Sequence, residues 1–152
     1  MKEIKEAVIF IGLQASGKTS YYKRYFSDYV HVNLDTLHTR NKENLLLQEC
    51  IQNGKSFVVD NTNPTALDRE KYIRLAKENG YRICGVYFQS AVGDCMERNR
   101  RRDGKARVPD IALLCTHGKL ELPKMDEGFD ELRYVRIVDD EFITEEWNDE
   151  LG

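Results

Sequence analysis

Residues 12–19 carry the most specific chemical signal in the sequence, because GLQASGKT matches the pattern G-x-x-x-x-G-K-[ST] in full. Glycines near both ends allow backbone N–H groups to point inward around an anion, and a helix that follows adds the positive end of its dipole. Lys18 would reach the outer phosphates of a nucleotide, and the Thr19 hydroxyl could ligate Mg²⁺. The pattern therefore predicts a nucleoside triphosphate site.

The surroundings of this motif support the same interpretation. The apolar run at 7–11 has the length of a strand buried on both faces of a sheet, and helical spacing begins at about Lys18. The motif requires this context, so a glycine-rich turn beside an exposed lysine is the weaker alternative. Without a nucleotide, Lys18 is expected to face solvent. The residues of this region expected to bind ATP are Gly12, Gln14, Ala15, Ser16, Gly17, Lys18, Thr19 and Ser20.

Two aspartates stand near the ends of predicted strands. Asp60 ends the strand at 56–60, and Asp35 comes two residues after the strand at 29–33. Ligands of open α/β sheets bind at the carboxyl edge, so Asp60 suits a role near Mg²⁺, directly or through water, together with Thr19. The alternative for Asp60 is an Asx-type hydrogen bond to the next turn. For Asp35, a functional role and a helix N-cap fit the spacing equally well.

Basic residues are crowded into positions 98–107. Arg98 and Arg102 are four positions apart, so one helix face could present two guanidinium groups to the same anion, with Gly104 as a hinge. Phosphoryl transfer needs cations beside the transferring phosphate, which favours function over a merely solvated helix face. We therefore expect Arg98 and Arg102 to contact ATP from a helical, arginine-rich lid over about 98–110.

The elements that must position these residues alternate between strand and helix. Strands are predicted at 7–11, 29–33, 56–60, 81–88 and 132–138, and helices at 18–26, 42–52, 65–79, 92–102 and 109–120. This alternation predicts an α/β fold, the three-layer sandwich of a P-loop NTPase, with a mostly parallel five-stranded sheet. The length of 152 residues suits a single P-loop kinase domain over 1–152.

Composition and charge narrow the class of protein further. Apolar residues make up 41 % and charged residues 32 %, which suits a soluble globular domain, and neither a membrane span nor a signal peptide is evident, so we expect a cytoplasmic protein with no membrane contact. The four cysteines form no C-x-x-C pair and are expected to be reduced.

Charge is distributed unevenly along the sequence. Residues 126–152 hold 2 Lys+Arg against 11 Asp+Glu, a net charge of −9, whereas residues 1–125 hold 21 Lys+Arg against 15 Asp+Glu, a net charge of +6. An anion-handling body with an acidic C-terminal segment, 139–152, is one interpretation; two solvated faces are the other.

Taken in order, these motifs resemble the kinase half of the polynucleotide 5′-hydroxyl kinase family, P-loop phosphotransferases of phage RNA repair and animal DNA repair enzymes. The resemblance runs from about Val8 to Val138. Many families share the P-loop, whereas the segment DNTNP at 60–64, the pattern R-N-x-x-R at 98–102 and their joint spacing are much more specific. The other matching positions are 32–37, Arg69, Tyr72, Cys95, Val108, Pro109 and 127–129.

The resemblance implies a role for several residues. Asp35 would be the general base for the attacking hydroxyl, Lys18 and Thr19 would contact phosphate and Mg²⁺, and Arg102 would clamp the donor phosphates with help from Arg98. Three departures accompany it: His38 stands where phage members carry arginine, a D-x-D-x-T phosphatase signature is missing, and proteins with the same P-loop body phosphorylate small molecules or aminoacyl-tRNA.

The sequence thus predicts a kinase that uses ATP and Mg²⁺ and transfers the γ-phosphate to a hydroxyl, in the first place the 5′-hydroxyl of a nucleic acid. The expected partners are ATP and that acceptor, with no obligate protein partner indicated. A small-molecule or tRNA kinase of the same class, and a regulatory module that binds ATP without transferring phosphate, are the alternatives. Lid arginines and a positioned Asp35 favour an enzyme over such a module.

Overall fold

Six strands form one sheet in the computed structural model, which describes residues 4–148 apart from the side chain of Lys105. They are β1 (Glu6–Ile11), β2 (Val30–Val32), β3 (Phe57–Val59), β4 (Arg82–Phe88), β5 (Glu131–Val138) and β6 (Glu141–Glu146). The order across the sheet is β2-β3-β1-β4-β5-β6. The first five strands pair in parallel, and β6 runs antiparallel to β5.

The prediction of a mostly parallel sheet is confirmed, but the predicted number of five strands is wrong. The sixth strand, β6, occupies part of the segment expected to be only an acidic tail, of which residues 149–152 lie outside the described residues. β6 is an edge strand with four of its six residues exposed or acidic, so it lacks the continuous apolar run that marks a buried parallel strand. The tight turn before it consists of Asp139 and Asp140, both with positive φ.

Helices cover both faces of the sheet. In the described chain they are α1 (Lys18–Tyr25), α2 (Leu34–Leu37), α3 (Arg40–Asn53), α4 (Ala66–Glu78), α5 (Val92–Arg100) and α6 (Asp110–Lys119). Their bounds lie within a few residues of the predicted ones, except that α2 was not predicted as a separate helix and α5 is shorter than predicted. Within residues 4–148, each helix is too short or too polar to span a bilayer.

The central strand β1 divides the core into two apolar layers. Ala7, Ile9 and Ile11 point to one face, where α3 and α4 pack, and Val8 and Phe10 point to the other, where α1 packs. All five side chains are fully buried, as the unbroken apolar run predicts for a strand covered on both faces. The P-loop and α1 follow directly, so a strand buried on both faces supports the loop.

The arginine-rich segment is mostly loop, which corrects the prediction of a helical lid. α5 ends at Arg100, Arg101 is its C-cap, and a short 3₁₀ turn covers Gly104–Ala106 before α6 begins. Arg102 therefore lies beyond the helix end, and the argument that it shares a helix face with Arg98 is wrong. The Gly104 backbone, at the start of the 3₁₀ turn, has a φ of 56°, in the left-handed region that glycine adopts readily.

Candidate active site

The P-loop, residues 12–19, runs from the end of β1 into the first turn of α1, and its path depends on two glycines. A Cβ at Gly12 would lie 3.0 Å from Ser16 Oγ and 3.1 Å from the carbonyl oxygen of Phe88, so the backbone approaches too closely for a side chain. Gly17, the N-cap of α1, has a φ of 99°, in the left-handed region. The backbone therefore turns tightly at the N-terminus of α1, as a phosphate-binding loop requires.

Hydrogen bonds from neighbouring strands hold the P-loop in place. Gly12 N donates to the carbonyl oxygen of Thr62 at 3.0 Å, and Leu13 N donates to Ser90 Oγ at 3.0 Å. Thr62 follows β3 and Ser90 follows β4, so the loop is tied to the carboxyl ends of both strands that flank β1. This places the loop at the sheet edge where ligands of such folds bind.

Lys18 lies inside the P-loop and does not face solvent, which corrects the expectation from sequence. Its Nζ donates to the carbonyl oxygens of Gly12 at 3.0 Å and Leu13 at 2.6 Å, and the residue is only 8 % exposed. Burial lowers the pKa of Lys18 to about 8, although Asp60 and, less strongly, Asp35 favour its charged form. The ammonium group is therefore a poorly hydrated cation, for which phosphate oxygens would be better partners than carbonyls.

Asp60 is a buried carboxylate directly after β3. Its Oδ2 accepts a hydrogen bond from Thr19 Oγ1 at 2.8 Å and lies 2.7 Å from Nε2 of His31. The ring of His31 stacks on Tyr22 with centroids 4.0 Å apart, which fixes the ring plane. Within residues 4–148 the carboxylate bonds to these partners and not to the following turn, so the Asx-turn alternative is wrong.

The oxygen atoms of Thr19 and Asp60 form a donor set that suits one kind of metal. Mg²⁺ prefers oxygen ligands, keeps several waters and binds through one or two carboxylates together with nucleotide phosphates. Among the described residues, no group of three or more His, Cys, Asp or Glu could hold a metal ion without such help. The hydroxyl–carboxylate pair at the N-terminus of α1 therefore fits a magnesium ion shared with a nucleotide.

Asp35 lies in the first turn of α2 and is exposed. The N-cap of this helix is Asn33, whose side chain accepts a hydrogen bond from Thr36 N, so the capping alternative for Asp35 is wrong. The Asp35 carboxylate is close enough to Lys18 to favour the charged form of the lysine. An exposed carboxylate near the P-loop, with no capping role, can accept a proton from a hydroxyl group.

The two predicted lid arginines have different partners. Arg98 Nε donates to the carbonyl oxygen of Ala15 at 3.2 Å, so this arginine touches the P-loop directly. Arg102 Nη1 donates to the carbonyl oxygen of Ala106 at 3.1 Å, within its own loop. Arg102 also disfavours the charged form of Lys18, so both cations lie within electrostatic range of one anion site.

The other residues expected to bind ATP differ in their surroundings. Ala15 and Ser16 are buried in the P-loop, and Ala15 has a positive φ of 63°. Gln14 Nε2 donates to Thr116 Oγ1 of α6 at 3.1 Å, whereas Ser20 is exposed on α1. Gln14 therefore links the P-loop to α6.

Two polar residues near the site had no sequence signal that assigned them a place in it. His31 lies in a short strand and Glu43 in the charged first turn of a helix, where each looks like a surface residue. Asn99 did carry a signal, the pattern R-N-x-x-R at 98–102, but the pattern assigned no role to the asparagine. Asn99 is fully buried: its Nδ2 donates to the carbonyl oxygen of Val108 at 2.6 Å, and its Oδ1 accepts from Val108 N at 3.0 Å. This pair of hydrogen bonds closes the loop that carries Arg102.

A family model described as "AAA domain" matches residues 39–123, which is more than half of the chain. The chain belongs to this family. The match runs from the N-cap of α3 to the segment after α6, and so includes the arginine-rich loop but not the P-loop.

Two of the proteins similar in sequence to this chain are named as polynucleotide phosphatase/kinases. A "Bifunctional polynucleotide phosphatase/kinase" of Schizosaccharomyces pombe is 28 % identical over 151 residues, 96 % of this chain and 37 % of the relative. A "Putative bifunctional polynucleotide phosphatase/kinase" of Acanthamoeba polyphaga mimivirus is 31 % identical over 150 residues, which cover 93 % of this chain and 36 % of the relative. An "L-seryl-tRNA(Sec) kinase" of Methanococcus maripaludis is 22 % identical over 143 residues, 81 % and 55 % of the two chains. The chain spans about a third of the length of the first two relatives.

Solved structures share the fold at lower identity. The AvrRxo1-ORF1:ORF2 complex with ATP has a TM-score of 0.72 at 14 % identity, covering 93 % of this chain and 57 % of the other. A gluconokinase from Sinorhizobium meliloti 1021 has a TM-score of 0.60 at 18 % identity, covering 89 % and 84 %. These likenesses confirm the predicted α/β fold.

Proposed function

We propose that this domain transfers the γ-phosphate of ATP to a hydroxyl group, with the 5′-hydroxyl of a nucleic acid as the favoured acceptor. The observation that carries the proposal is an exposed aspartate without a capping role, Asp35, within electrostatic range of the P-loop lysine, Lys18. Phosphoryl transfer needs a cationic donor site and an acceptor for the hydroxyl proton, and it needs no covalent nucleophile.

On the donor side, backbone N–H groups of the P-loop and of the first turn of α1 would hold the outer phosphates of ATP. Lys18 would exchange the carbonyl oxygens of Gly12 and Leu13 for phosphate oxygens, and its pKa would rise as it gained those anionic partners. Thr19 and Asp60 would hold Mg²⁺. A Mg²⁺ ion held by these two residues would supply positive charge that offsets the charge developing on the phosphate oxygens.

On the acceptor side, Asp35 would accept the proton of the attacking hydroxyl as its oxygen bonds to the γ-phosphorus. The bond between that phosphorus and the bridging oxygen then breaks, and ADP leaves with the electron pair. Arg102 would leave the carbonyl oxygen of Ala106 for the transferring phosphate, while Arg98 stays beside the P-loop. Each of these groups acts by position and charge, which is what the chemistry requires.

The preference for a nucleic acid acceptor is supported by two observations. Residues 1–125 carry a net charge of +6, from 21 Lys+Arg and 15 Asp+Glu, and their arginine-rich loop borders the site. Such a field draws in a polyanion more strongly than a neutral sugar. Two of the named relatives are polynucleotide phosphatase/kinases.

The experiment that tests the proposal is transfer of radiolabelled phosphate from ATP with a panel of acceptors: 5′-hydroxyl DNA, 5′-hydroxyl RNA, tRNA, nucleosides and sugars. We expect efficient labelling of the 5′-hydroxyl oligonucleotides and poor labelling of nucleosides and sugars. Efficient labelling of tRNA alone would favour the alternative that the M. maripaludis relative suggests, and labelling of sugars the one that the gluconokinase suggests. Binding of ATP with no labelled product in any arm would favour a regulatory module.

A further inference from the structure

A buried carboxylate on α3 stands at the centre of a hydrogen-bond network on the acceptor side of the site. Glu43 is fully buried, and its Oε1 accepts from Lys71 Nζ at 2.9 Å, from Tyr72 Oη at 2.9 Å and from Arg40 Nη1 at 3.1 Å. Its Oε2 accepts from Asn61 Nδ2 at 3.0 Å. Every one of these partners donates, so the network requires an ionised carboxylate as its acceptor.

The charge state of Glu43 agrees with this arrangement. Burial alone would raise the pKa of its carboxyl group, but hydrogen bonds from Lys71, Tyr72 and Asn61 outweigh burial and lower it. A buried charge of this kind persists only when its partners are complete, because a lost partner leaves the charge without compensation. The network is therefore tightly constrained, and its members hold one another in fixed orientations.

Asn61 connects this network to the helix that carries Asp35. Its Nδ2 donates to Glu43, and its Oδ1 accepts from the backbone N–H of Leu34 at 3.0 Å. Leu34 is the first residue of α2, where a backbone N–H has no partner within the helix. Glu43 fixes which way the Asn61 amide points, since only the nitrogen end can donate to a carboxylate. The oxygen end is left for Leu34, immediately before Asp35.

We propose that Glu43 is a positioning residue, which acts through Asn61 on the first turn of α2 and so keeps Asp35 beside the P-loop. α2 has only four residues, none of them buried, and Leu37 at its far end packs half-buried against the core. The bond from Asn61 to Leu34 therefore supplies a second point of support, next to Asp35. The inference rests on the proposed function, in which Asp35 is the general base. Within residues 4–148, Glu43 forms hydrogen bonds to neither the P-loop nor the lid arginines, so its effect on the donor side should be small.

The first test is a double-mutant cycle on kcat for phosphorylation of a 5′-hydroxyl oligonucleotide. Glu43→Gln is expected to lower kcat by about tenfold or more in the native background, and by less than about threefold when Asp35→Asn is already present. The Kd for ATP should change by less than about threefold in either background, because the donor side does not depend on the network. Equal fold-losses in both backgrounds, or no loss in the native one, would overturn the inference.

A second variant keeps the test valid if Glu43→Gln does not fold. Asn61→Ala removes the bridge to Leu34 but leaves Glu43 with its three other donors, so it should show the same dependence on Asp35. Glu127→Gln is the matched control, because Glu127 accepts two hydrogen bonds from the buried Arg69 but has no bond to α2. That control should lower the Tm and leave kcat within about threefold. A loss of kcat in the control as large as that in Asn61→Ala would overturn the inference.

Hydrogen exchange gives a readout that does not require activity. The Leu34 amide should exchange about tenfold faster or more in Asn61→Ala and in Glu43→Gln, since its acceptor is removed or released. The Ile83 amide, which donates to Asp130 Oδ2 at 2.8 Å, should be unchanged. Unchanged exchange at Leu34 would overturn the inference whatever the kinetics. If exchange at Leu34 changes but the native protein does not phosphorylate oligonucleotides, the proposed function fails, whereas the support of α2 by Glu43 and Asn61 is confirmed.

Discussion

The proposed donor half and the proposed acceptor half of the site are built in different ways. The P-loop is eight consecutive residues between a buried strand and a helix, and most of the groups that would face a phosphate belong to its backbone. The acceptor half takes Asp35 from the short helix α2 and its support from Asn61 and Glu43. The bonds that provide this support join residues 27 and 18 positions apart. A site made of backbone appears as a local motif, whereas a site held by dispersed side chains does not.

The same difference extends to burial. Lys18 is 8 % exposed and bonded within its own loop, while Asp35 is exposed on a helix of four residues. Changes in the donor half should therefore disturb ATP binding and transfer together, since one loop serves both. Changes in the acceptor half should lower the rate of transfer and leave ATP affinity nearly intact.

The largest expected effect lies in the donor half. Lys18→Met should lower phosphate transfer by at least about 10³-fold, because it removes the cation that neutralises the outer phosphates. The fold should survive, since the methionine side chain fits a buried position and gives up only bonds to carbonyls of the loop itself. Rates by radiolabel transfer and Tm by calorimetry check this. Activity close to that of the native protein would show that the P-loop is not the donor site.

The next largest effect separates the two halves. Asp35→Asn preserves size but cannot accept a proton as a carboxylate does, so it should lower kcat by about 10²-fold or more. Calorimetric titration should show ATP affinity within about threefold of the native value. A comparable fall in ATP affinity would mean that Asp35 belongs to the donor half.

Two neighbouring arginines of the arginine-rich loop should differ in how much they contribute to kcat. Arg102→Ala should lower kcat by about tenfold or more, because its guanidinium is the one proposed to reach the transferring phosphate. Arg101→Ala should change kcat by less than about twofold, since Arg101 forms an exposed ion pair with Glu97 at 2.9 Å. Equal losses from both variants would indicate a diffuse basic field and not a specific clamp.

The lowered pKa of Lys18 predicts a pH dependence that is confined to the donor half. Above pH 8 the ligand-free lysine loses its proton, so the Kd for ATP should rise by about tenfold per pH unit until the pKa of the bound state is reached. The folded chain releases this proton near pH 8 and the unfolded chain near 10.5, so this group alone makes the ligand-free fold more stable as pH rises between those values. Lys18→Met, titrated in parallel, should lack both trends.

The smallest effect concerns attraction of the acceptor. The KM for an oligonucleotide should rise several-fold as ionic strength goes from about 0.05 M to about 0.2 M, because counterion release drives binding of a polyanion. The KM for ATP in a buffer with excess Mg²⁺ should change less over the same range. Equal salt dependence for a neutral acceptor such as a nucleoside would remove the electrostatic argument for a nucleic acid.

The sequence predicts an element well where the hydrophobic periodicity is strong, and poorly where contacts between distant residues determine whether a segment is strand, helix or loop. The unbroken apolar run of β1 and the helical spacing at 65–79 predicted elements close to those observed. The capping box that Thr65 and Asp68 form at the start of α4 was not predicted. β6 was missed because an edge strand needs no continuous apolar run. The helical lid was predicted from the spacing of the arginines, with Gly104 as a hinge. α5 nevertheless ends at Arg100, and the loop after it is closed by the bonds of Asn99 to Val108, which charge spacing does not reveal.

The candidate site shows the same division. GLQASGKT predicts the position and shape of the P-loop, because each glycine has a local backbone reason. Burial of Lys18 was not predicted, since it depends on which carbonyl oxygens the folded loop turns inward. The roles of His31 and Glu43 could not be read from the sequence, because each is defined by a partner far away in the chain, Asp60 and Asn61.

The antiparallel strand β6 has a consequence for association between molecules. It pairs with β5 along its length, from Arg133 opposite Glu146 to Val138 opposite Glu141. Without it, β5 would present a row of unpaired N–H and C=O groups, the template from which sheets of different molecules join. The outer edge that β6 offers instead carries exposed acidic side chains, which repel a second copy. We therefore expect β6 to protect the sheet from edge-to-edge association. A deletion of residues 140–152 intended to remove only charge would also remove β6 and leave the edge of β5 unpaired.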